Sequence, residues 1–355
     1  MKHIRRCLLA AAGLLVLIAA GYVAYVFGTY YRVEDNLTLS VINNPAELVR
    51  TGETYTAVTY NVGFFAYSAD YSFFMDGGKE SRAYSVEAVE ENFRGVAAVI
   101  QSLAPDFLLA QEVDADATRS WHMDESAMML TVLPEYGSVW AQNYDSPYLF
   151  WPLTEPHGAS RSGIMTFSRF RMDSALRRSL PIETGFTKFL DLDRCYSVTR
   201  FPVEGGGELC LYNVHLSAYT TDGTIANEQL KMLLADMAAE YAAGNYVIGG
   251  GDFNKDLLGN SAEIFGVSGE NLTWAQPMPA ALIPEGITLV SSLNADAPVP
   301  SCRNADRPYD PDESFQLTVD GFLVSDNVEA VSFVEDTGFA WSDHNPVVLK
   351  FTLKK

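Results

Sequence analysis

Apolar residues recur along the chain in three rhythms, and each predicts a different kind of element. The first is unbroken: from Cys7 to Gly28 no charged side chain occurs. A helix rising ~1.5 Å per residue crosses the ~30 Å hydrocarbon layer of a bilayer over such a run. Lys2, Arg5 and Arg6 precede it, whereas Glu34 and Asp35 follow soon after Arg32. Basic residues collect on the cytoplasmic side of a span, so residues 1–6 are expected in the cytoplasm and the rest of the chain outside. The apolar core of a cleaved signal peptide is usually nearer ~7–15 residues. The expectation is therefore an uncleaved, single-pass plasma-membrane anchor over 7–28 and a juxtamembrane linker over 29–53.

The other two rhythms alternate with each other. Thr54 to Val62 alternates as a strand does, whereas Val86, Val89, Phe93, Val96, Ile100 and Leu103 share one helical face between Ser85 and Leu103. Pro105 ends that helix. Phe107 to Val113 is a short apolar run ending in charge, which suits a buried strand whose end opens into a site. Gly163–Phe167 reads as a strand, and Tyr196–Val203 with Leu209–Leu216 reads as a hairpin around Gly205-Gly206-Gly207. Leu230, Leu233, Leu234, Met237 and Tyr241 line a second helix with Gly244 at its C-terminal cap. Tyr246–Ile248, Thr318–Val324 and Asn345–Leu353 complete the strands. No repeat or Pro/Gly/Ser linker divides residues 54–355, read as one domain. Hairpins and only two long helices argue for layers with mixed sheets rather than a doubly wound parallel fold.

Composition narrows the chemistry. The 355 residues are 48% hydrophobic and 19% charged, which excludes disordered, collagen-like and coiled-coil chains. With 24 basic and 45 acidic residues the formal charge is -21. That charge opposes capture of long polyanions by a broad basic surface, and favours a small substrate or local contact through a metal. None of the four cysteines is spaced for zinc, and Cys195 and Cys210 fall out of register for a disulfide in the hairpin. No GxSxG elbow supports a serine hydrolase. Asn36-Leu-Thr38 and Asn271-Leu-Thr273 fit the glycosylation sequon, which carries meaning only in a cell that glycosylates.

The informative feature is where polar residues interrupt the apolar strands. Tyr60-Asn61-Val62, Gln111-Glu112-Val113, Asn213-Val214-His215, Gly251-Asp252-Phe253-Asn254 and Ser342-Asp343-His344 all end apolar runs in side chains able to hold a metal or a phosphate. An Asn or Asp after a strand usually closes its own turn, so each fragment alone is weak. Five in succession are not.

Together with TVDGFLVS from Thr318, the fragments TYNVG, QEVD, YNVHLS, GGDFN and SDHNPV resemble the endonuclease/exonuclease/phosphatase superfamily of metal-dependent phosphoesterases, in that family's order and over Tyr55–Phe351. The resemblance implies a DNase I-like α+β fold, a four-layer α/β/β/α sandwich behind the transmembrane helix. It implies Glu112 as principal Mg²⁺ ligand, with Asn61 and Asp343 beside it and Mn²⁺ as a substitute. It also implies Asp252 activating the attacking water, Asn254 orienting it, His344 paired with Asp320, and His215 donating to a phosphate oxygen. Gly321 departs from the bulkier residue many relatives carry after the aspartate. Hard oxygen ligands with few protein carboxylates are what Mg²⁺ takes, and a phosphodiester needs cation, donors and a positioned water together.

Of the remaining histidines, His122 and His157 belong to no motif, and Arg161 is a further candidate for phosphate contact. Six aromatics between Phe64 and Phe74, and a second group of Tyr144, Tyr148, Phe150 and Trp151, either pack a long loop or meet a base or a lipid headgroup. The expectation is a membrane-anchored, Mg²⁺-dependent phosphoester hydrolase facing outward, with no obligate protein partner. Its substrate reads as a phosphodiester, so an extracellular nuclease and a sphingomyelinase-like phospholipase C both remain open. A binding module that keeps the fold without the chemistry would show gaps among these positions, and the sequence shows none.

Overall fold

The structure, a computed structural model, describes residues 2–183, 185, 193–218, 223–267, 276–294 and 297–355. The sequon at Asn271 lies outside these residues. Helix α1 spans Lys2–Thr29, and the chain continues through β1 (Leu37–Thr38), β2 (Thr54–Asn61), α2 (Val86–Leu103), β3 (Phe107–Ala117), α3 (Glu125–Leu130), β4 (Gly137–Leu149) and β5 (Gly158–Ser168). It goes on through β6 (Ser174–Ser179), β7 (Cys195–Pro202), β8 (Glu208–His215), α4 (Thr224–Ala242), β9 (Tyr246–Asp252), α5 (Ser261–Phe265) and β10 (Ile287–Val290). It ends with β11 (Cys302–Arg303), β12 (Gln316–Leu317), β13 (Asp320–Ser325), β14 (Val328–Val334) and β15 (Val347–Leu353).

Two mixed sheets form the centre, one ordered β1-β6-β7-β8-β9-β13-β10 and the other β14-β15-β2-β3-β5-β4. Strand alternation sorts side chains into layers. Tyr55, Ala57, Phe107, Leu109, Leu209, Leu211, Ile248, Phe322, Leu349 and Phe351 meet in a core between the sheets. Val58, Tyr60, Leu108 and Ala110 turn outward instead, onto Val89, Val96 and Ile100 of α2. Cys210, Tyr212, Val214 and Val247 turn outward from the other sheet onto Leu230, Leu233, Leu234 and Met237 of α4. Each fully buried Val, Leu, Ile, Phe or Met among them contributes roughly 1.5–3 kcal/mol. The result is the four-layer α/β/β/α sandwich expected from the sequence.

Two glycines set the spacing that this packing needs. A Cβ on Gly250 would stand 2.4 Å from the Phe322 ring and 2.8 Å from Leu109 of the facing sheet. A Cβ on Gly251, at φ +149°, would stand 2.0 Å from the Val214 carbonyl oxygen. Gly251→Ala is therefore expected to cost at least about 2 kcal/mol, read as a lowered urea midpoint; a loss under about 0.5 kcal/mol would contradict the close approach.

The N-terminal region differs in part from expectation. Helix α1 takes in Lys2–Arg6 as well as the apolar run, giving 28 residues, or ~42 Å. Residues 29–53 do not hang free as a linker. Val33 is buried, its N–H donating to Asp193 Oδ2 at 2.8 Å, and β1 pairs with β6 as an edge strand. Val49 is fully buried in the core between the sheets. The folded unit thus begins ahead of Thr54, because short apolar residues there cover an otherwise open edge. Arg200, not Cys195, lies opposite Cys210 in the hairpin, and all four cysteines are free.

Candidate active site

Inward-facing positions run along each strand until the strand leaves the core, and there they turn polar. On β8, β9 and β13 the inward series ends or begins in His215, Asp252 and Asp320, and on β2 it ends in Asn61. Asp320 pairs directly with Asp252 across β13 and β9, and His215 pairs with Asp252 across β8 and β9.

Glu112 needs a device. Strand parity would place it outward with Leu108 and Ala110, toward α2. Its φ is +56°, and the β3–β5 register shifts between Ala110 and Val113. This bulge turns the carboxylate to the inner side, where Asn61 Nδ2 donates to Glu112 Oε1 at 3.3 Å. A non-glycine residue at positive φ is costly, and such strain collects where position matters.

Asp252 Oδ2 is the point of convergence. It lies 3.1 Å from Asn61 Nδ2, 3.4 Å from His215 Nε2 and 4.0 Å from His344 Nε2. The other oxygen, Oδ1, accepts the Asn254 backbone N–H at 2.8 Å. Burial, then the charge of Asp320 opposite, pushes Asp252 up to about 7. Asn254, at φ +48°, spends its side-chain amide on the Leu216 carbonyl, so it positions Asp252 through its backbone.

The two histidines are set in opposite states. Arg194 Nη1 donates to His215 Nδ1 at 2.8 Å; a guanidinium can only donate, so the His215 proton is on Nε2, facing Asp252. Burial, then the charges of Arg194 and His344, hold His215 well below the ordinary imidazole value, hence neutral. His344 donates from Nδ1 to Asp320 Oδ2 at 2.8 Å. Burial works against its charge, but Asp320 and the other acids nearby hold it well above the ordinary value. Ser301 Oγ fixes Asp320 Oδ2 at 2.7 Å, and Gly321 does not disturb the pair. Ser342 anchors the His344 loop by donating to the Asn61 carbonyl at 2.8 Å.

Glu112, His215, Asp252, Asn254 and His344 line a cavity of about 740 Å³ that also receives Asp343, Arg119, Arg194, Arg303, Asn304 and His157, while Asn61 and Asp320 are buried against these groups. The three arginines are buried and stand among the carboxylates of Asp76, Glu112, Glu183, Asp252 and Asp343 in the same lining, and Arg119 is paired with Asp114 behind it. Sequence reasoning missed the arginines, since a lone Arg without a pattern looks the same whether it lines a site or pairs on the surface. Arg161 is not brought in: it is exposed on β5 opposite Asp116 and Asp145, outside the cavity lining. Its outward strand position directs it to those surface acids. Five of the six aromatics between Phe64 and Phe74 are buried, and Tyr67, Phe73 and Phe74 reach the cavity wall. His122 is exposed beside Asp116.

The sequence profile of the Endonuclease/Exonuclease/phosphatase family matches residues 58–344, which span every strand end just described. The chain belongs to that family. No curated protein sequence matches it. Solved structures of the fold do. An endonuclease/exonuclease/phosphatase from Beutenbergia cavernae DSM 12333 is 19% identical, with 85% of this chain and 72% of that one covered and a TM-score of 0.56. ANGEL2, a 2′,3′-cyclic phosphatase in complex with adenosine-2′,3′-vanadate, is 16% identical over 91% and 99%, with a TM-score of 0.56. The human Nocturnin catalytic domain with bound sulfate is 18% identical over 89% and 98%, with a TM-score of 0.54. Likeness at these identities shows the sandwich, and family membership makes the fold that of phosphoesterases.

His157 gives a pH test of the cavity wall. Its Nδ1 donates to the Ser81 carbonyl at 3.0 Å. Burial, then the charge of Arg119, pushes it down from 6.5 to about 4. Between those values the unfolded chain binds the proton and the folded chain does not, so stability falls as pH drops through that window. A loss of about 1.5 kcal/mol between pH 6.5 and 5 is expected from this residue. It is measured as the difference in urea-unfolding pH slope between the protein and His157→Gln, and equal slopes would contradict it.

Proposed function

We propose that the chain is a Mg²⁺-dependent phosphodiesterase, with Mn²⁺ as a substitute, anchored in the plasma membrane by α1 with its catalytic domain outside the cytoplasm. The observation that carries this reading is the convergence of Asn61, His215 and His344 on one oxygen of Asp252, with Glu112 turned into the same mouth. A module that had lost chemistry would not keep a strained glutamate and two oppositely protonated histidines there.

The residues fit a hard cation. Asn61, Glu112 and Asp343 would hold it, offering oxygen donors as Mg²⁺ prefers. Asp252, Asp320 and His344 also place ligand atoms within 4.8 Å of one another. That second set is a poorer holder, because His344, held protonated beside Asp320, offers no lone pair to a cation, although Asp320 Oδ1 is buried without a hydrogen-bond partner. The Glu112 side chain is 24% exposed, against 1% for Asp320, which leaves room for the waters that Mg²⁺ retains. When bound, the ion would neutralise phosphate charge and favour formation of hydroxide.

The protein's own groups supply the rest. Ionised Asp252 takes the proton of a water held near its Oδ2. The Nε2–H of His215 and the Nε2–H of His344 are two donors for phosphate oxygens, and charge developing there is what such donors stabilise. Protonated His344 is the group able to give its proton to the departing alkoxide. Arg194 acts through His215, fixing its tautomer.

Turnover of bis-p-nitrophenyl phosphate by the purified chain in detergent is expected with Mg²⁺ or Mn²⁺ and is expected to vanish in EDTA. Undiminished turnover in EDTA would contradict metal dependence. Helix α1 is long and apolar enough to cross a membrane, with the most apolar stretch unburied among the described residues, which supports the anchor. The excess of basic residues at Lys2, Arg5 and Arg6 supports the outward orientation.

A further inference from the structure

Polar groups are only part of the cavity lining. Tyr22 of α1 also lines it, together with Phe74, Phe150, Trp151 and Leu153. The membrane helix therefore contributes to the wall of the active site. It is held there by Tyr22 Oη donating to the Tyr148 carbonyl at 3.3 Å and by the Tyr148 N–H donating to Tyr25 Oη at 3.0 Å. The rings of Tyr22 and Phe150 meet edge-on with centroids 5.2 Å apart.

These contacts set the depth of the site. Tyr22, Tyr25, Tyr30 and Tyr31 crowd the end of α1 and the residues after it. Tyrosines concentrate at the boundary between hydrocarbon and water, so the domain meets α1 where the chain leaves the bilayer. Around the same cavity Phe150, Trp151, Leu153 and Met75 are 52%, 65%, 75% and 55% exposed. Large apolar side chains grouped in this way mark a surface that something covers. The bilayer surface that α1 crosses is continuous with them, and apolar groups there sink into the headgroup boundary.

We propose that the cavity opens onto the leaflet that α1 leaves, and that its substrate is a phospholipid of that leaflet, met at the interface by Phe150, Trp151 and Leu153. This rests on the anchored phosphodiesterase reading above. The formal charge of -21 opposes an anionic surface, so a zwitterionic phospholipid is the class that fits. In the reaction, water oxygen bonds to phosphorus and the phosphorus–oxygen bond to diacylglycerol breaks. The water's proton passes to Asp252, and the glycerol oxygen takes the proton of His344. The products are diacylglycerol and a headgroup phosphomonoester, and the two side chains exchange protons with solvent to reset.

The test uses the full chain in nanodiscs of phosphatidylcholine brominated along its acyl chains. Bromine is expected to quench tryptophan fluorescence, and Trp151→Phe is expected to remove most of the quenched component; quenching unchanged by Trp151→Phe would overturn the interfacial placement. With Mg²⁺ in unbrominated phosphatidylcholine discs, phosphocholine release is followed by ³¹P NMR beside turnover of bis-p-nitrophenyl phosphate. Serine replacing Phe150, Trp151 and Leu153 together is expected to lower the ratio of lipid to soluble turnover at least 10-fold, as expected for a lost interfacial contact worth 1.4 kcal/mol or more. An unchanged ratio would overturn the proposal. Soluble turnover without phosphocholine release would overturn the lipid class alone, whereas no turnover of either substrate would defeat the phosphodiesterase reading beneath it.

Discussion

Replacing Asp252 by asparagine is expected to lower kcat on bis-p-nitrophenyl phosphate about 10³-fold with KM nearly unchanged. The size of the effect follows from geometry. Asp252 is 2% exposed, and its Oδ2 is the one atom that Asn61, His215 and His344 all face. Asparagine keeps the oxygen that accepts the Asn254 N–H but cannot take a proton from water. It also removes a negative charge from beside Asp320, so the folded chain is expected to keep its Tm. Loss of activity with an intact Tm isolates the chemistry. A kcat within 10-fold of the parent would place the base elsewhere.

Glu112→Ala is expected to raise the Mg²⁺ concentration for half-maximal activity at least about 100-fold, since loss of an outer-shell partner alone costs 10–100-fold in metal affinity. Stability should move the other way. In the absence of cation Glu112 is one of several acids around the mouth, and its charge raises the proton affinity of Asp343, whose main upward push is burial. Alanine relieves that repulsion, while its Cβ leaves the backbone strain at φ +56° as it was. Thermal melting in EDTA is expected to stay level or rise in the variant. Full activity at the parent's Mg²⁺ concentration would remove Glu112 from the cation site.

The central strands could be read from sequence because both faces are buried, and burial of both faces leaves a near-continuous apolar run such as Leu209–Tyr212 of β8. The strands that escaped reading include β4, β10 and β14, which are the edges of their sheets. An edge strand meets solvent along one side and carries a weaker pattern: β14 reads Val-Glu-Ala-Val-Ser-Phe-Val and β4 contains Pro147. The site was legible at its strand ends, since a polar residue closing an apolar strand is a local feature. Two things about it were not local. The bulge that turns Glu112 inward depends on pairing with β5, and the approach of Arg194 to His215 spans 21 residues. The place of Arg161 was not local either: its neighbours in sequence say nothing of which residues face it across β5.

An anomalous difference map from crystals of the protein grown with Mn²⁺ would locate the cation site itself. One strong peak is expected at oxygen-ligand distance, ~2.1 Å, from the Glu112 carboxylate, shared with Asn61 or Asp343 directly or through water. A peak held by Asp252, Asp320 and His344 with Glu112 left free, or no peak in the cavity at saturating Mn²⁺, would contradict that placement of the cation.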